Sequence, residues 1–360
     1  MQLSKSLSGE PLNAQAADRH WAQRVVSAGS RLAVSLMFLL SAGQAVAAPG
    51  VAVEPQEVRE WLTRIHNAAN QRNFQGTFVV SSTGAMTSAR IAHFYDGTDQ
   101  FERIEPLDGQ ARQVLRHNGV VHTVWPFDKV TLIEQRDVLS SFPSLPQDAD
   151  DRVADFYDVS LQPAERVAGR DANVLMLKPR DEFRYGYRLW ADKKTGLLLR
   201  AEIHNALGET LETSAFSDVD IGVRSQPDMV LLPMRKLAGH RVVKPQLTPT
   251  RLEAEGWKLR KTVAGFRQLS CIRRPLDVLA TTDRKSSSDQ LIQTVFSDGI
   301  TNVSLFIEPY SIDRHARPAV TVVGATQTLM SRQGDFWITV VGDVPSVTLR
   351  AFYEAVDRSK

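Results

Sequence analysis

The strongest constraint on the fold is a long series of short, strand-like segments separated by turn residues. In the first segment, Phe74, Gly76, Phe78 and Val80 alternate with the residues between them. A period of two is the pattern of a strand with one buried face. Further segments of this kind are predicted at 88–95, 100–105, 111–117, 120–125, 129–135, 156–161, 164–168, 172–178, 184–191, 197–204 and 210–219.

The turns between these segments favour sequential hairpins. Asp96-Gly97, Asp108-Gly109 and Asn118-Gly119 each separate two predicted strands. Asn-Gly and Asp-Gly pairs supply the positive φ angles that the favoured two-residue hairpin turns require. Short strands joined in this way predict one large, curved antiparallel sheet. A sheet that curls without closing leaves an apolar cleft, where a lipid-like ligand could enter.

A helix is predicted immediately before the first strand. Over 55–72 the apolar residues recur at helical spacing, and Pro55 suits the first turn of a helix. We expect this helix, with Trp61 at its centre, to lie across the concave face of the sheet. The fold class is therefore α+β, with a large curved sheet and a covering helix at 48–228.

Prolines mark the end of the large domain. Pro227, Pro233, Pro245 and Pro249 lie close together, and we interpret 229–251 as a semi-rigid, Pro-rich linker. A smaller α+β domain is predicted at 252–360. It contains a hairpin about Ser297-Asp298-Gly299 and a C-terminal helix for which Asp343 is the expected N-cap.

The N-terminal residues have the pattern of a secretory leader. Residues 32–40 are an apolar run, preceded by Arg24 and Arg31 and followed by Ala45-Val46-Ala47. A basic region, a short apolar region and an A-x-A site predict a signal peptide at 1–47 and a periplasmic protein. The run is too short to span a membrane. The alternative interpretation of this run is a buried helix.

Composition and motifs favour a binding protein over an enzyme. The formal net charge is +2, which gives no indication of a nucleic-acid partner. Cys271 is the only cysteine, so no disulfide within the chain and no thiolate metal cluster can form. The sequence contains no G-x-S-x-G, P-loop, G-x-G-x-x-G or H-E-x-x-H motif. We therefore expect no catalytic residues, metal or cofactor, although a hydrolase whose site has no recognisable motif is a rival interpretation.

Several motifs resemble those of the RseB/MucB family of periplasmic sigma-E regulators. They occur in the family's order along the chain. They are Asn73–Phe78, Arg166–Asp171, Pro179–Asp181, Arg184–Trp190, Thr195–Leu198, Val295–Gly299, Val303–Pro309 and Thr339–Pro345. The Arg-Tyr-Gly-Tyr-Arg-Leu-Trp block is the most specific of them. The proline-rich linker and the 309–320 loop depart from the family pattern.

This resemblance implies a function. Such proteins bind the periplasmic segment of an RseA- or MucA-like anti-sigma factor and protect it from site-1 proteolysis. Lipopolysaccharide or lipoprotein acyl chains release them. Their large domain is similar to the LolA/LolB lipoprotein carriers, an unclosed barrel with a helix in its mouth. The alternative is a periplasmic lipid or lipoprotein carrier without a regulatory partner, and a homodimer is a further alternative for the assembly.

A physical hypothesis follows for where the ligands bind. An acyl chain in the cleft would contact Trp61, Phe74 and Phe78, and Arg180, Arg184 and Arg188 would suit lipid phosphates. A solvated strand face is the other interpretation of these arginines. We expect the partner to dock on the small domain and at the seam between domains, through the Val295–Pro309 hairpin. The residues expected to contact it are Val295, Phe296 and Phe306, with a purely structural hairpin as the alternative.

Overall fold

The computed structural model describes residues 50–82, 84–135, 152–276, 290–315 and 317–358. The predicted leader at 1–47 lies outside these residues. Within the described ranges, no helix is both long enough and apolar enough to span a membrane.

The larger of the two main sheets, which we call the large sheet, has thirteen strands in the described part of the chain. They are β1 (Val51–Ala52), β2 (Phe74–Ser82), β3 (Ala85–Tyr95), β4 (Gln100–Pro106), β5 (Gln113–His117), β6 (Val120–Trp125), β7 (Val130–Gln135), β8 (Tyr157–Val167), β9 (Arg170–Pro179), β10 (Gly186–Asp192), β11 (Leu198–His204), β12 (Thr210–Ile221) and β13 (Arg241–Val243). Their spatial order is β1-β8-β9-β10-β11-β12-β2-β3-β4-β5-β6-β7-β13. Neighbours are antiparallel, except that β13 runs parallel to β7. Because β1 and β13 end the order without pairing to each other, the sheet is unclosed, which confirms the predicted fold class.

Of the three predicted hairpin turns, only Asn118-Gly119 is a two-residue loop, whereas Asp96-Gly97 lies in the loop 96–99 and Asp108-Gly109 in the loop 107–112. His117 pairs with Val120, so Asn118 and Gly119 form a two-residue loop between β5 and β6. Asn118 has a φ of 51°, the left-handed conformation that this loop requires. Asparagine tolerates that conformation better than most residues with a Cβ atom.

Strand β8 replaces two strands that the sequence predicted separately. The expected strands at 156–161 and 164–168 are one strand, Tyr157–Val167, whose pairing with β9 shifts between Gln162 and Glu165. Pro163 lies in this irregularity. A proline has no N–H to donate to a neighbouring strand, so it is accommodated at a bulge.

A helix covers one face of the large sheet, and we call that face of the sheet the inner face. Leu189 pairs with Ala201, Ala201 with Ser214, and Ser214 with Val80, so these four side chains share that face. Helix α1 (Pro55–Gln71) buries Val58, Leu62 and Ile65 in a cluster with Leu189 and other inner-face residues. The predicted helix and its location against the sheet are confirmed. A four-residue helix, α2 (Val153–Phe156), precedes β8.

The proline-rich segment is not a bare linker. It contains helix α3 (Asp228–Arg235), which buries Val230 against Phe94, Phe101 and Leu115 of the large sheet. Strand β13 then adds to the sheet's edge beside β7. The sequence interpretation failed because Pro233, which interrupts the helix near its end, was interpreted as a mark of an extended connection. The apolar residues around it pack well enough to hold the helix in place.

The second main sheet, which we call the small sheet, is formed by the C-terminal part of the chain. Its strands are β14 (Thr248–Pro249), β16 (Arg267–Pro275), β17 (Gln290–Ser297), β18 (Asn302–Pro309), β19 (Ala319–Val323), β20 (Thr326–Gln333) and β21 (Phe336–Gly342), in the order β14-β16-β17-β18-β21-β20-β19. Two further strands, β15 (Trp257–Leu259) and β22 (Val356–Arg358), pair with each other. Helix α4 (Ser346–Ala355) buries Leu349 and Phe352 in the core of this small sheet.

Asp343 does not cap the last helix. Helix α4 begins at Ser346 with Pro345 in the N-cap position and no side-chain cap. The Asp343 carboxylate instead accepts a hydrogen bond from the Thr326 hydroxyl on β20. This leaves the carboxylate at the edge of the small sheet that faces the large one.

The two sheets meet at a packed seam. Ile300 and Ala325, from turns of the small sheet, belong to the same apolar cluster as Tyr187 and Leu189 of the large sheet. Phe183, in the loop between β9 and β10, packs in turn against the small sheet's core. The Thr348 hydroxyl also donates to the carbonyl oxygen of Phe183 at 2.7 Å. The seam is therefore held by apolar burial and by hydrogen bonds together.

Candidate binding site

An open cleft of about 450 Å³ lies on the inner face of the large sheet. Its apolar lining includes Phe78, Ala89, Ile104, Pro106 and Trp125. Phe78 pairs with Ala89, and Ala89 with Pro106, so the register places these side chains on one face. Asp108 and Arg112 add polar groups to the lining. An apolar floor with charged groups beside it suits a ligand that has a hydrocarbon chain and a polar head.

Of the three aromatic residues predicted to contact lipid, only Phe78 lines this cleft. Phe74 is fully buried and packs edge-on against Phe216, with ring centroids 6.0 Å apart. Trp61 is partly buried beside the cluster under α1, with the Arg64 guanidinium 5.6 Å from its ring. Phe74 is therefore a core residue of the large sheet, and Trp61 takes part in the packing of α1 against that sheet.

Arg184 is buried at the seam and does not face the cleft. Its Nε donates to Oδ2 of Asp298 at 2.8 Å, and its other nitrogens donate to Asp181 and to the carbonyl oxygen of Ala264. Its guanidinium lies 4.2 Å from the centroid of the Phe156 ring. With its charge paired and no part of the side chain exposed, Arg184 is not available to a lipid phosphate. The sequence could not reveal this, because Asp298 is 114 residues away.

A tyrosine completes this buried group. The Tyr157 hydroxyl donates to the same Oδ2 of Asp298 at 3.1 Å. Burial, followed by the nearby Asp298 charge, holds the pKa of Tyr157 well above its ordinary value. The hydroxyl therefore keeps its proton and acts as a donor. Asp298 accepts from residues of the large sheet while lying in the β17–β18 turn of the small one.

Arg188 lies on the opposite face of the large sheet from the cleft. It neighbours Leu189, and successive side chains of a strand point to opposite faces. Its guanidinium pairs with Glu165 and lies 4.6 Å from the Trp190 ring centroid. Arg180 forms an exposed pair with Asp158 at 2.8 Å. The predicted aromatic and basic lipid contacts are therefore not assembled into one site.

The hairpin predicted to contact a partner divides between core and surface. Phe296 is buried in the small sheet's core, 5.0 Å from Phe352 between ring centroids. Val295 pairs with Ser304, and Phe306 follows two residues later, so Val295 and Phe306 share the other face. Both are partly exposed. Phe296 supports this surface from below, and the other two form it.

Neither the cleft nor the seam has the ligands of a metal centre. Within the described ranges, no group of three or more His, Cys, Asp or Glu side chains is arranged to hold a metal ion. Cys271 is buried on β16, and burial raises the pKa of its thiol to about 11.

Comparison with known families decides between the classes of binding protein. Residues 57–236 match the model of the MucB/RseB N-terminal domain, and residues 251–357 match that of the MucB/RseB C-terminal domain. The chain belongs to the MucB/RseB family. The resemblance proposed from the sequence is thereby confirmed.

Curated relatives carry the names of sigma-factor regulators. MucB of Pseudomonas aeruginosa, named as the regulatory protein of sigma factor AlgU, is 30% identical over 316 residues, which is 86% of this chain and 93% of that protein. RseB of Escherichia coli K12, named as a sigma-E factor regulatory protein, is 24% identical over 304 residues, which is 82% of this chain and 89% of that protein.

Solved MucB structures share this fold. The MucA/MucB complex of Pseudomonas aeruginosa matches with a TM-score of 0.63 and 27% identity, over 84% of this chain and 99% of that chain. A crystal structure of MucB in complex with MucA(peri) matches with a TM-score of 0.61 and 26% identity, over the same shares of the two chains. In both cases the similarity includes both sheets, because it covers almost all of the MucB chain.

Proposed function

We propose that this protein is a negative regulator of a sigma-E-type envelope stress response. It binds the periplasmic segment of a MucA- or RseA-like anti-sigma factor and shields that segment from the first protease that cleaves it. It acts in the periplasm, to which the leader predicted at 1–47 directs it. It acts by binding and not by catalysis.

One observation carries this proposal. The chain matches a MucB chain solved together with MucA, over 99% of that chain and at 27% identity. The similarity extends across both sheets, so a surface that needs both of them is available here as well. The curated relatives are named as sigma-factor regulatory proteins, which supports the same function.

We place the partner against the outward face of the small sheet and at the seam. Val295 and Phe306 are partly exposed there on adjacent strands. Apolar side chains at the centre of a protein interface, above all aromatic ones, supply much of its binding energy. Phe296, the third residue predicted for this surface, contributes by fixing the hairpin from the core side.

Acyl chains are proposed to enter the cleft lined by Phe78, Ile104 and Trp125. Each buried CH₂ group contributes roughly 0.8 kcal/mol, so one chain supplies enough free energy to change how the sheets meet. Release of the partner requires the lipid to bind the partner-free form more tightly than the bound form. Binding of the lipid would then weaken binding of the anti-sigma factor, although the two bind at different sites.

Calorimetric titration of the purified protein with the cognate anti-sigma periplasmic segment tests the proposal. We expect one segment to bind each chain, and Phe306→Asp to weaken binding about tenfold or more, as for a central interface residue. Val322→Asp is the matched control, because Val322 is exposed on β19 of the same sheet. Absence of binding by the unaltered protein would refute the proposal. Equal effects of the two variants would refute only the placement.

A lipid or lipoprotein carrier without a regulatory partner is the second candidate, and the apolar cleft favours it. A carrier would bind acyl chains and deliver them to an acceptor membrane, and it would not recognise an anti-sigma segment. The small sheet would then have no evident task. Transfer of a fluorescent lipid between vesicles, with no affinity for the segment, would establish this candidate in place of the first.

A further inference from the structure

A second cavity lies at the seam, where the inner face of the large sheet meets the edge of the small one. Its volume is about 360 Å³, near the lower end of the roughly 300–1,000 Å³ that ligand pockets occupy. Leu189, Ala201 and Ile203 line its apolar wall, and Glu212, Asn302 and Asp343 add polar groups. None of the residues that line the cleft at Phe78 lines this cavity.

The charged part of the cavity consists of two carboxylates, Glu212 and Asp343, whereas Ser214, Thr301, Asn302 and Ser304 add neutral polar groups. Burial raises the pKa of Glu212, and the charge of Asp343 raises it further. The Oδ1 atom of Asn302 is buried and accepts no hydrogen bond from the described residues. The described residues that line the cavity include no lysine, arginine or histidine. Two carboxylates therefore line a partly enclosed space whose described lining supplies no cation.

Each carboxylate accepts a hydrogen bond from the small sheet. Glu212 accepts from the backbone N–H of Ala325, and Asp343 accepts from the Thr326 hydroxyl. A carboxylate has about four acceptor positions, so both retain capacity for a further donor. Partly buried negative charge without a cation is unfavourable, and a positively charged ligand would relieve this cost.

We propose that this cavity receives an arginine side chain, whose guanidinium donates to the carboxylates of Glu212 and Asp343. A guanidinium is always charged and presents five N–H donors in a plane, so one group can serve acceptors on different sides of the cavity. A lysine ammonium is a compact charge with three donors on a single atom. The apolar wall at Leu189, Ala201 and Ile203 accommodates the methylene stem of the arginine.

The source of the arginine rests on the proposed function: it belongs to the anti-sigma segment. Glu212 lies on β12 of the large sheet, whereas Asp343 directly follows β21 of the small sheet. An arginine in this cavity therefore contacts both sheets at once. Binding of the segment would depend on how the sheets meet, which is also what a lipid in the other cleft would change.

A small probe tests the cavity independently of any partner. Titration of the purified protein with butylguanidinium, followed by NMR, should shift amide signals of residues around Ala201 and Asn302. Butylurea, a neutral compound of matched shape, should cause no such shift. Equal binding of the two compounds, or binding of neither, would overturn the proposal. Binding of butylammonium in place of butylguanidinium would overturn the choice of arginine.

Glu212→Gln supplies the matched variant, because it removes the charge and keeps the shape. Its affinity for butylguanidinium should fall about tenfold, as for the loss of one charge-assisted hydrogen bond. Glu209→Gln is the control, since Glu209 is exposed on the same hairpin and does not line the cavity. Ala201→Phe should block the probe by filling the apolar wall. Unchanged affinity in both Glu212→Gln and Ala201→Phe would place the probe elsewhere and overturn the proposal.

The anti-sigma segment then tests the source of the arginine. Replacement of its arginines one at a time by citrulline should weaken binding about tenfold at one position, and Glu212→Gln should abolish that difference. If every replacement binds equally well, the segment is not the source. If the segment does not bind at all, the proposed function fails and the source fails with it, whereas the butylguanidinium result still judges the cavity.

Discussion

The guanidinium of Arg184 donates to the carboxylate of Asp298 across 2.8 Å, and this buried ion pair joins the two sheets. Arg184 precedes β10 of the large sheet, and Asp298 lies in the β17–β18 turn of the small one. The Tyr157 hydroxyl donates to the same carboxylate oxygen. Neither side chain of the pair is exposed, so the ion pair is a fixed part of the seam.

Arg184→Ala should destabilise the protein by about 3–5 kcal/mol, because it leaves Asp298 buried without a counter-charge. Arg188→Ala is the control. Arg188 is partly exposed and pairs with Glu165, and such pairs contribute roughly 0–1 kcal/mol. Urea unfolding of both variants measures the difference in the free energy of unfolding. Similar losses in the two variants would show that the seam does not depend on this ion pair.

Glu212 should make the protein less stable as the pH rises from acidic to neutral. Burial and the charge of Asp343 raise its pKa in the folded state above the unfolded value. Its contribution to stability is therefore fully present below the unfolded pKa, and it is lost as the pH rises through the folded pKa. Glu212→Gln should accordingly raise the Tm at neutral pH.

The same comparison at low pH supplies the control. Below about pH 4 the Glu212 side chain and the glutamine that replaces it are both uncharged, so the Tm values of Glu212→Gln and the unaltered protein should converge. Thermal unfolding at a series of pH values measures this gap. A gap that stays constant with pH would mean that the charge of Glu212 is not the cause.

Cys271 should be unreactive in the folded protein. Burial raises the pKa of its thiol to about 11, and the thiolate is the reactive form. A thiol reagent should therefore label the native chain slowly and the urea-unfolded chain rapidly. Because Cys271 is the only cysteine, the label reports on a single site. Rapid, complete labelling of the native protein would show that β16 is open to solvent.

Ile104→Glu should abolish binding of acyl chains to the cleft. Ile104 is partly buried and lines the apolar wall, so a carboxylate there would lose its hydration when a hydrocarbon chain enters. Met86→Glu is the matched control, because Met86 is exposed on the neighbouring strand β3. Displacement of a fluorescent fatty acid measures both affinities. If Ile104→Glu binds as tightly as Met86→Glu, the lipid enters elsewhere.

The fold could be predicted from local patterns because most of its strands are neighbours in sequence. Asn118-Gly119 fixed one register through its turn geometry, and the apolar spacing around Leu62 identified α1. The order in which the sheet is built was less accessible. Strand β2 pairs with β12 as well as with β3, and that distant pairing leaves no local signal.

The site could be predicted only in part, because side-chain environments depend on distant partners. Strand alternation identified Phe78. That Ile104 and Pro106 lie on the same face as Phe78 can be seen only when the register of three strands is known. Arg184 was predicted to contact a lipid phosphate, because the local sequence gives no sign of its buried partner Asp298. Helix α3 was missed because a proline near its end is typical of a linker.

Whether the protein shields an anti-sigma factor can be measured as the rate of the first proteolytic cleavage of that factor. The cognate anti-sigma factor is incubated with its site-1 protease, with and without saturating amounts of the purified protein. We predict that the protein slows cleavage strongly, and that acyl-bearing lipid restores the rate. Cleavage at the same rate with and without the protein would contradict the account.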